Sequence, residues 1–313
     1  MPLDPMLAQL ISQIPAVPEG PVDYPAVREM ANSMIPMIVG PDGTIEVGKV
    51  EDLGLVGTGG PVPLRVYRPI GDAQGTLHYV HGGGWAVGNL ATVDHTARRL
   101  CRDLGMVVVT SSYRLAPEHP FPAAFEDSLT AARWVLQNRA ELGGAGCPAI
   151  IGGDSAGGNL AAAVSIALRD SNDGTGVFDC QLLLYPAVDL RPNREYASRV
   201  RDADPTLVAG NLDMYAADYA GAADRSNPLI SPLAADSLSG LPTALIVVLS
   251  VDPLRDEAIA YADRLRDSGV MVEVMEFDNL THGFVHFAGI IPATAVATQQ
   301  VVDRLKALVK GQS

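Results

Sequence analysis

Four short segments carry residue types that together could cleave an acyl bond. Gly153-Asp154-Ser155-Ala156-Gly157 lies between an apolar run ending at Ile151 and an Ala-rich stretch beginning at Ala156. A G-x-S-x-G turn between strand and helix forces its central serine into strained backbone geometry, and the flanking glycines let strand and helix approach closely enough for the turn to form. The hydroxyl then projects beside a helix N-terminus, which favours negative charge developing there. His81-Gly82-Gly83-Gly84-Trp85 follows the apolar run 77–80. A triple glycine exposes backbone N–H groups with no Cβ to screen them, the donors an oxyanion requires. Asp252, in Val251-Asp252-Pro253-Leu254-Arg255-Asp256-Glu257, and His282, in Thr281-His282-Gly283-Phe284, supply a carboxylate and an imidazole. Each has a plainer reading alone: a chance pentapeptide, a flexible loop, or a helix-entry cap at Asp252 with Asp256 and Glu257 in the first turn. The serine turn and the triple glycine occurring in one chain argue for chemistry.

These residues need a scaffold, and the chain supplies one. Residues 47–69 read as two strands, the second with alternating burial over 64–68. Short runs rich in apolar and β-branched residues then recur at 77–80, 106–110, 149–151, 182–185, 245–249 and 270–275. Helix-length segments lie between several of them, at 92–104, 123–139, 156–169 and 256–267. Repeated β-α units predict a mostly parallel sheet with helices on both faces. One such unit separates Asp252 from His282, so both would arrive at the same edge of the sheet as Ser155. The order Ser, Asp, His is the one expected of an α/β-hydrolase sheet. Leu7, Leu10, Ile11 and Ile14 have helical spacing. The polar segment 189–224 interrupts the β-α rhythm and, with residues 1–45, is expected to form a lid over the carboxyl edge.

Composition excludes other classes. The chain has 313 residues, 48 % of them hydrophobic, with 22 Lys and Arg against 36 Asp and Glu, a formal net charge of −14. A disordered chain would be poorer in apolar residues, and a nucleic-acid binder would carry a basic excess to neutralise phosphates. The three cysteines, Cys101, Cys147 and Cys180, form no C-x-x-C pair and no disulfide framework. The first positive charge is Arg28 and the apolar runs are strand-length, so neither a secretory leader nor a membrane span is expected. These features predict a reduced, cytoplasmic protein.

Together with Tyr113-Arg114-Leu115-Ala116-Pro117-Glu118-His119-Pro120-Phe121-Pro122-Ala123, the four segments resemble the signature blocks of the bacterial hormone-sensitive-lipase-like carboxylesterases. The resemblance runs from about Val62 to the C-terminus. It implies an α/β-hydrolase fold, which here predicts a mostly parallel eight-stranded sheet with helices on both faces and a helical cap. The cap would comprise residues 1–45 and 189–225, and the catalytic core residues 46–188 and 226–313. It further implies a metal-free, cofactor-free serine carboxylesterase acting on short- to medium-chain acyl esters. In that scheme His282 takes the Ser155 proton, Asp252 orients the imidazole, and the N–H groups of Gly83, Gly84 and Ala156 hold the oxyanion. Members often carry a His-Asp pair after the triple glycine where this chain has Val93-Asp94-His95, which leaves the role of His95 open.

Among the remaining histidines, His81 is expected to support the oxyanion loop and His119 to serve structure, while His78 and His286 receive no role. Asp154 could brace the serine turn. Trp85, Leu207, Met214 and Phe284 are candidates for an acyl pocket, with ordinary packing as the alternative. The same acyl-enzyme machinery would serve an amide, a lactone or an N-acetyl group, and a non-catalytic ligand receptor on the same fold is a further alternative. The expected partner is a small ester, without nucleic acid or membrane span. The segment 293–310 reads as an amphipathic helix, and a homodimer is an open possibility.

Overall fold

A computed structural model describes residues 2–13, 22–40, 43–171, 173–201 and 203–310. Eight strands form one sheet: β1 (Lys49–Gly57), β2 (Gly60–Arg68), β3 (Thr76–Val80), β4 (Val107–Ser111), β5 (Ala149–Asp154), β6 (Cys180–Leu184), β7 (Thr243–Leu249) and β8 (Val272–Phe277). Their order is β1-β2-β4-β3-β5-β6-β7-β8. The pairs β1-β2 and β2-β4 are antiparallel; from β4 through β8 every pairing is parallel. β3, β4, β5 and β6 are buried along their whole length, so both faces need apolar residues, and runs such as Val107-Val108-Val109 satisfy both at once.

Among the described residues eleven α-helices accompany the sheet. The N-terminal part holds α1 (Pro5–Ile11), α2 (Tyr24–Ser33) and α3 (Ile35–Val39). Next come α4 (Leu90–Leu104), α5 (Ala123–Gln137), α6 (Arg139–Gly143) and α7 (Ala156–Asp170). Beyond β6 lie α8 (Ala197–Arg201) and α9 (Ala209–Ala220), then α10 (Arg255–Asp267) and α11 (Pro292–Lys310). Residues of α5, α7 and α10, among them Phe125, Leu160 and Tyr261, share one core with Val109, Ile151 and Ile246 of the sheet. The other face buries Leu100 of α4 and Val301 and Leu305 of α11 against Leu77, Val108 and Val247. Adjacent strand residues thus enter opposite cores, as a period of two requires. Local signals fix several helix ends: Asn89 and Thr92 form a reciprocal capping box at the start of α4, and Gly105 closes that helix in the left-handed region.

β3 lies between β4, which follows it in the chain, and β5, which comes later. The strand order therefore reverses at β3 and β5, and their carboxyl ends flank the crevice where ligands of open α/β sheets bind. The triple-glycine loop leaves β3 there, and Ser155 leaves β5.

The N-terminal helices divide. Leu7 and Ile11 of α1 are buried in the core shared with α4 and α11, and Asp4 caps this helix through Met6 N–H and Leu7 N–H. Residues 5–11 therefore belong to a core layer, not to the lid expected of the whole 1–45 segment, and Ile14 lies outside the described residues. α2 lies over the upper edge: Tyr24 donates to Asp218 of α9 at 2.5 Å. Arg28 donates to the carbonyls of Ala86 (2.7 Å) and Ala116 (2.9 Å) and to Glu118.

The strand-to-helix turn at Ser155 depends on hydrogen side chains at two positions. A Cβ on Gly157 would lie 2.0 Å from the carbonyl oxygen of Val80, and one on Gly153 would lie 2.5 Å from the same atom. Gly157→Ala must therefore push α7 away from β3. The expected cost is about 3 kcal/mol of stability, read as a lowered urea midpoint relative to the unsubstituted chain.

Candidate active site

Ser155 occupies the turn between β5 and α7 at φ 54°, ψ −119°, a conformation that side chains rarely adopt. Its N–H donates to Leu184 O at 2.9 Å, and its carbonyl accepts from Asn159 N–H and, more weakly, Ala187 N–H. The turn is thus held from both sides, leaving the side chain free to point into the crevice. Ser155 Oγ lies 2.8 Å from His282 Nε2, and His282 Nδ1 lies 2.7 Å from Asp252 Oδ2. Asp252 is fully buried, and its other oxygen accepts from Leu254 N–H at 2.8 Å. With the carboxylate ionised, Nδ1 must carry the proton and Nε2 is left to accept the serine hydroxyl. Three residues far apart in sequence thus meet in one hydrogen-bonded line.

The imidazole is oriented by more than Asp252. Tyr185 packs against it with ring centroids 4.6 Å apart. Asp204, from the segment between α8 and α9, accepts from His282 N–H at 2.7 Å and from the Thr281 hydroxyl. It also accepts from Thr206 N–H at 2.9 Å and the Thr206 hydroxyl at 2.7 Å. Burial alone would lower the His282 pKa, but the Asp252 carboxylate, backed by Asp204 and Asp154, holds it above the ordinary imidazole value.

Beside the serine, Gly83 (φ 114°) and Gly84 (φ 58°) line the cavity in conformations suited to glycine. A Cβ on Gly83 would strike Val87 O at 2.2 Å. Among the described residues neither N–H donates to an acceptor of the chain. Ala156 is buried at the first position of α7, where a helix N–H has no intrahelical partner. Asp154 ties this loop to the turn: Oδ1 accepts from Tyr79 O–H (2.8 Å) and Gly82 N–H (3.0 Å), and Oδ2 lies 3.0 Å from His286 Nε2. Although burial raises its pKa, these partners, His286 foremost, bring the carboxyl below its usual range. His81 is buried, stacks on Tyr113 at 4.3 Å, and lies 2.8 Å through Nδ1 from Gly82 O.

A cavity of about 620 Å³ opens above these groups. Trp85 and Leu207 line it; Met214 and Phe284 do not. Phe284 is fully buried beneath the site, edge-on to Tyr185 and Phe277. On α9 the cavity side carries Ala209, Leu212, Asp213, Tyr215 and Ala216, and Met214 is not part of it. His286, expected to have no role, lines the cavity and pairs with Asp154. His78 is buried in β3, where desolvation holds its pKa down to about 3. His95 is buried in α4 close to Gly289 and away from the cavity, and His119 is exposed. Asp204 and Asp189 give no sign in the sequence, since an acidic residue in a polar stretch reads as solvated, and Glu257 reads only as a first-turn acid of the helix after Asp252. The one available signal for Glu257 was its place in the motif that begins at Asp252.

Similarity to known proteins places the chain in a family. The profile of a family with the α/β-hydrolase fold matches residues 77–286. The carboxylesterase NlhH of Mycobacterium tuberculosis is 37 % identical over 316 residues, covering 97 % of this chain and 95 % of that one. The carboxylic ester hydrolase LipN of the same organism is 39 % identical over 264 residues, 82 % of this chain and 70 % of its own. The structure of an esterase from Pyrobaculum calidifontis superposes with a TM-score of 0.88 at 38 % identity, covering 98 % of this chain and 99 % of that one. The chain belongs to the α/β-hydrolase family, in the hormone-sensitive-lipase-like esterase group that its motifs resemble.

Proposed function

We propose that the protein is a serine carboxylesterase that hydrolyses short- to medium-chain acyl esters through an acyl-enzyme. The observation that carries this reading is the line from Ser155 Oγ to His282 Nε2 to Asp252, beside two backbone N–H groups without acceptors. His282 takes the hydroxyl proton as Oγ attacks the ester carbonyl, and Asp252 stabilises the imidazolium that forms. The N–H groups of Gly83, Gly84 and Ala156 receive the oxyanion; losing one such donor typically costs about 3 kcal/mol of transition-state stabilisation. The imidazolium returns its proton to the leaving alkoxide, and water then repeats the sequence on the acyl-enzyme.

Residues 22–40, with 189–201 and 203–225 of the second expected segment, serve as the lid in this reading. The Tyr24–Asp218 and Arg28–Ala86 bonds support that role, since they join the two segments to each other and to the oxyanion loop. The names of the relatives reported above, carboxylesterase and carboxylic ester hydrolase, favour esters over amides or lactones as substrates. A small ester is the partner this cavity suits. Among the described residues no helix is long and apolar enough to cross a membrane, and a cytoplasmic location rests on the scarcity and scatter of the cysteines. The apolar face of α11 is spent on the core, so a homodimer would need another surface.

The decisive experiment is Ser155→Ala assayed on 4-nitrophenyl esters of rising acyl length, with matching anilides as an amidase control. Turnover should fall by about 10⁶-fold with an unchanged circular dichroism spectrum. The unsubstituted chain should favour short and medium esters and spare the anilides; wild-type rates in the variant would place the nucleophile elsewhere. The pH profile gives a second check. The base must be neutral and its pKa is raised in the folded protein, so kcat/KM should fall with acid through a midpoint above the ordinary 6.5. Asp252→Asn should move that midpoint down and lower kcat by about 10⁴-fold. Asp204→Ala should lower kcat by about tenfold with a smaller change in KM, because the main-chain grip on His282 is lost while the pocket stays.

A further inference from the structure

Away from the reacting groups, the cavity wall carries three arginines, Arg191, Arg194 and Arg199. Two buried carboxylates fix them. Asp189, with no exposed side-chain surface, accepts from Arg191 Nε (2.6 Å) and Nη2 (2.9 Å), from Arg194 Nε (3.2 Å) and from the Tyr196 hydroxyl (2.6 Å). Glu257 is equally buried; it accepts from the N–H groups of Val188 (2.9 Å) and Asp189 (3.1 Å) and pairs with Arg199.

The network is not closed. Three guanidinium groups share two carboxylates, which leaves this wall one positive charge in excess within a chain of net charge −14. Donors are left over as well. Arg199 Nε is buried and has no hydrogen-bond partner among the described residues, Arg191 Nη1 donates to none of them, and Arg194, its side chain nearly half exposed, is held by Asp189 and Tyr196 alone. The two other acids on the cavity wall stand outside this cluster: Asp213 is mostly exposed and bound to Arg225 at 2.7 Å, and Asp154 is bonded at the serine turn to Tyr79, Gly82 and His286. Burial also pushes the Glu257 pKa up to about 7 in spite of Arg199, which further weakens the negative side of the balance.

We propose that this arginine wall is a subsite for a carboxylate, and that the enzyme prefers esters whose acyl chain ends in a free carboxylate over neutral esters of equal length. Guanidinium presents paired N–H donors in a plane that matches the two oxygens of a carboxylate, and a charge-assisted bond of that kind fixes register as well as affinity. Such a group would hold the far end of the acyl chain while the ester carbonyl lies at Ser155. The inference rests on the esterase reading and narrows its substrate class.

The test compares 4-nitrophenyl hydrogen adipate with 4-nitrophenyl hexanoate, with the enzyme-free rate subtracted. For the unsubstituted chain kcat/KM should be higher for the adipate. Arg194→Gln should cut the adipate-to-hexanoate ratio about tenfold, mainly through KM, the loss expected for one charge-assisted contact. Arg194 is the most exposed of the three and its bond to Asp189 is the longest, 3.2 Å, so this variant is the mildest to the fold. Raising salt should reduce the adipate rate more than the hexanoate rate. Turnover of hexanoate with equal or poorer use of adipate, or a ratio unmoved in Arg194→Gln, overturns this inference alone. No turnover of hexanoate would overturn the esterase reading and this inference with it.

Discussion

The tightest constraint in the molecule is the approach of α7 to β3. The backbone at Gly157 passes so close to Val80 O that even a methyl group would overlap it. That approach leaves Ser155 at a positive φ at the top of the turn and sets the start of α7 beside the triple-glycine loop. A helix seated an ångström higher would relax the serine backbone, a gain of about 1–3 kcal/mol. It would also separate the hydroxyl from Gly83 and Gly84. The sheet core must therefore hold the strained turn in place, and it does so with fully buried strands on both sides of β5.

Around that turn the acids have separate tasks. Asp252 fixes the imidazole tautomer, Asp204 grips the main chain at His282, Asp154 joins the serine turn to the glycine loop, and Asp189 and Glu257 organise arginines. All five are buried. An acidic group without water is stable only where donors converge on it, so each carboxylate records a fixed cluster of N–H and O–H groups. Much of the acidic excess in composition lies on the surface, but these five act as internal fasteners.

The parts visible in the sequence are those in which a local pattern determines local structure. The serine turn is spelled by its glycines, and the strands by β-branched runs buried on both faces. Asp252 and His282 follow from their places after β7 and β8. What stayed hidden depends on distant partners or on helix phase. α2 buries only Tyr24 and α3 buries nothing fully, so neither shows an apolar period. Met214 was a reasonable pocket candidate by residue type, but the phase of α9 presents Tyr215 and Leu212 to the cavity. Phe284 follows His282 so closely that it shares the loop while turning into the core below. Asp204 and Thr281 lie far apart in the chain, and no local pattern links them.

The clasp made by Arg28 carries a practical consequence. Its guanidinium satisfies the carbonyls of Ala86 and Ala116, one in the loop that begins with the triple glycine and the other in the following Pro-rich turn. A shortened protein beginning after α3 would leave both oxygens without that donor. The damage would reach the floor of the crevice and not only its roof, so the leading helices act as a built-in brace that any trimmed version for crystallisation or immobilisation should keep.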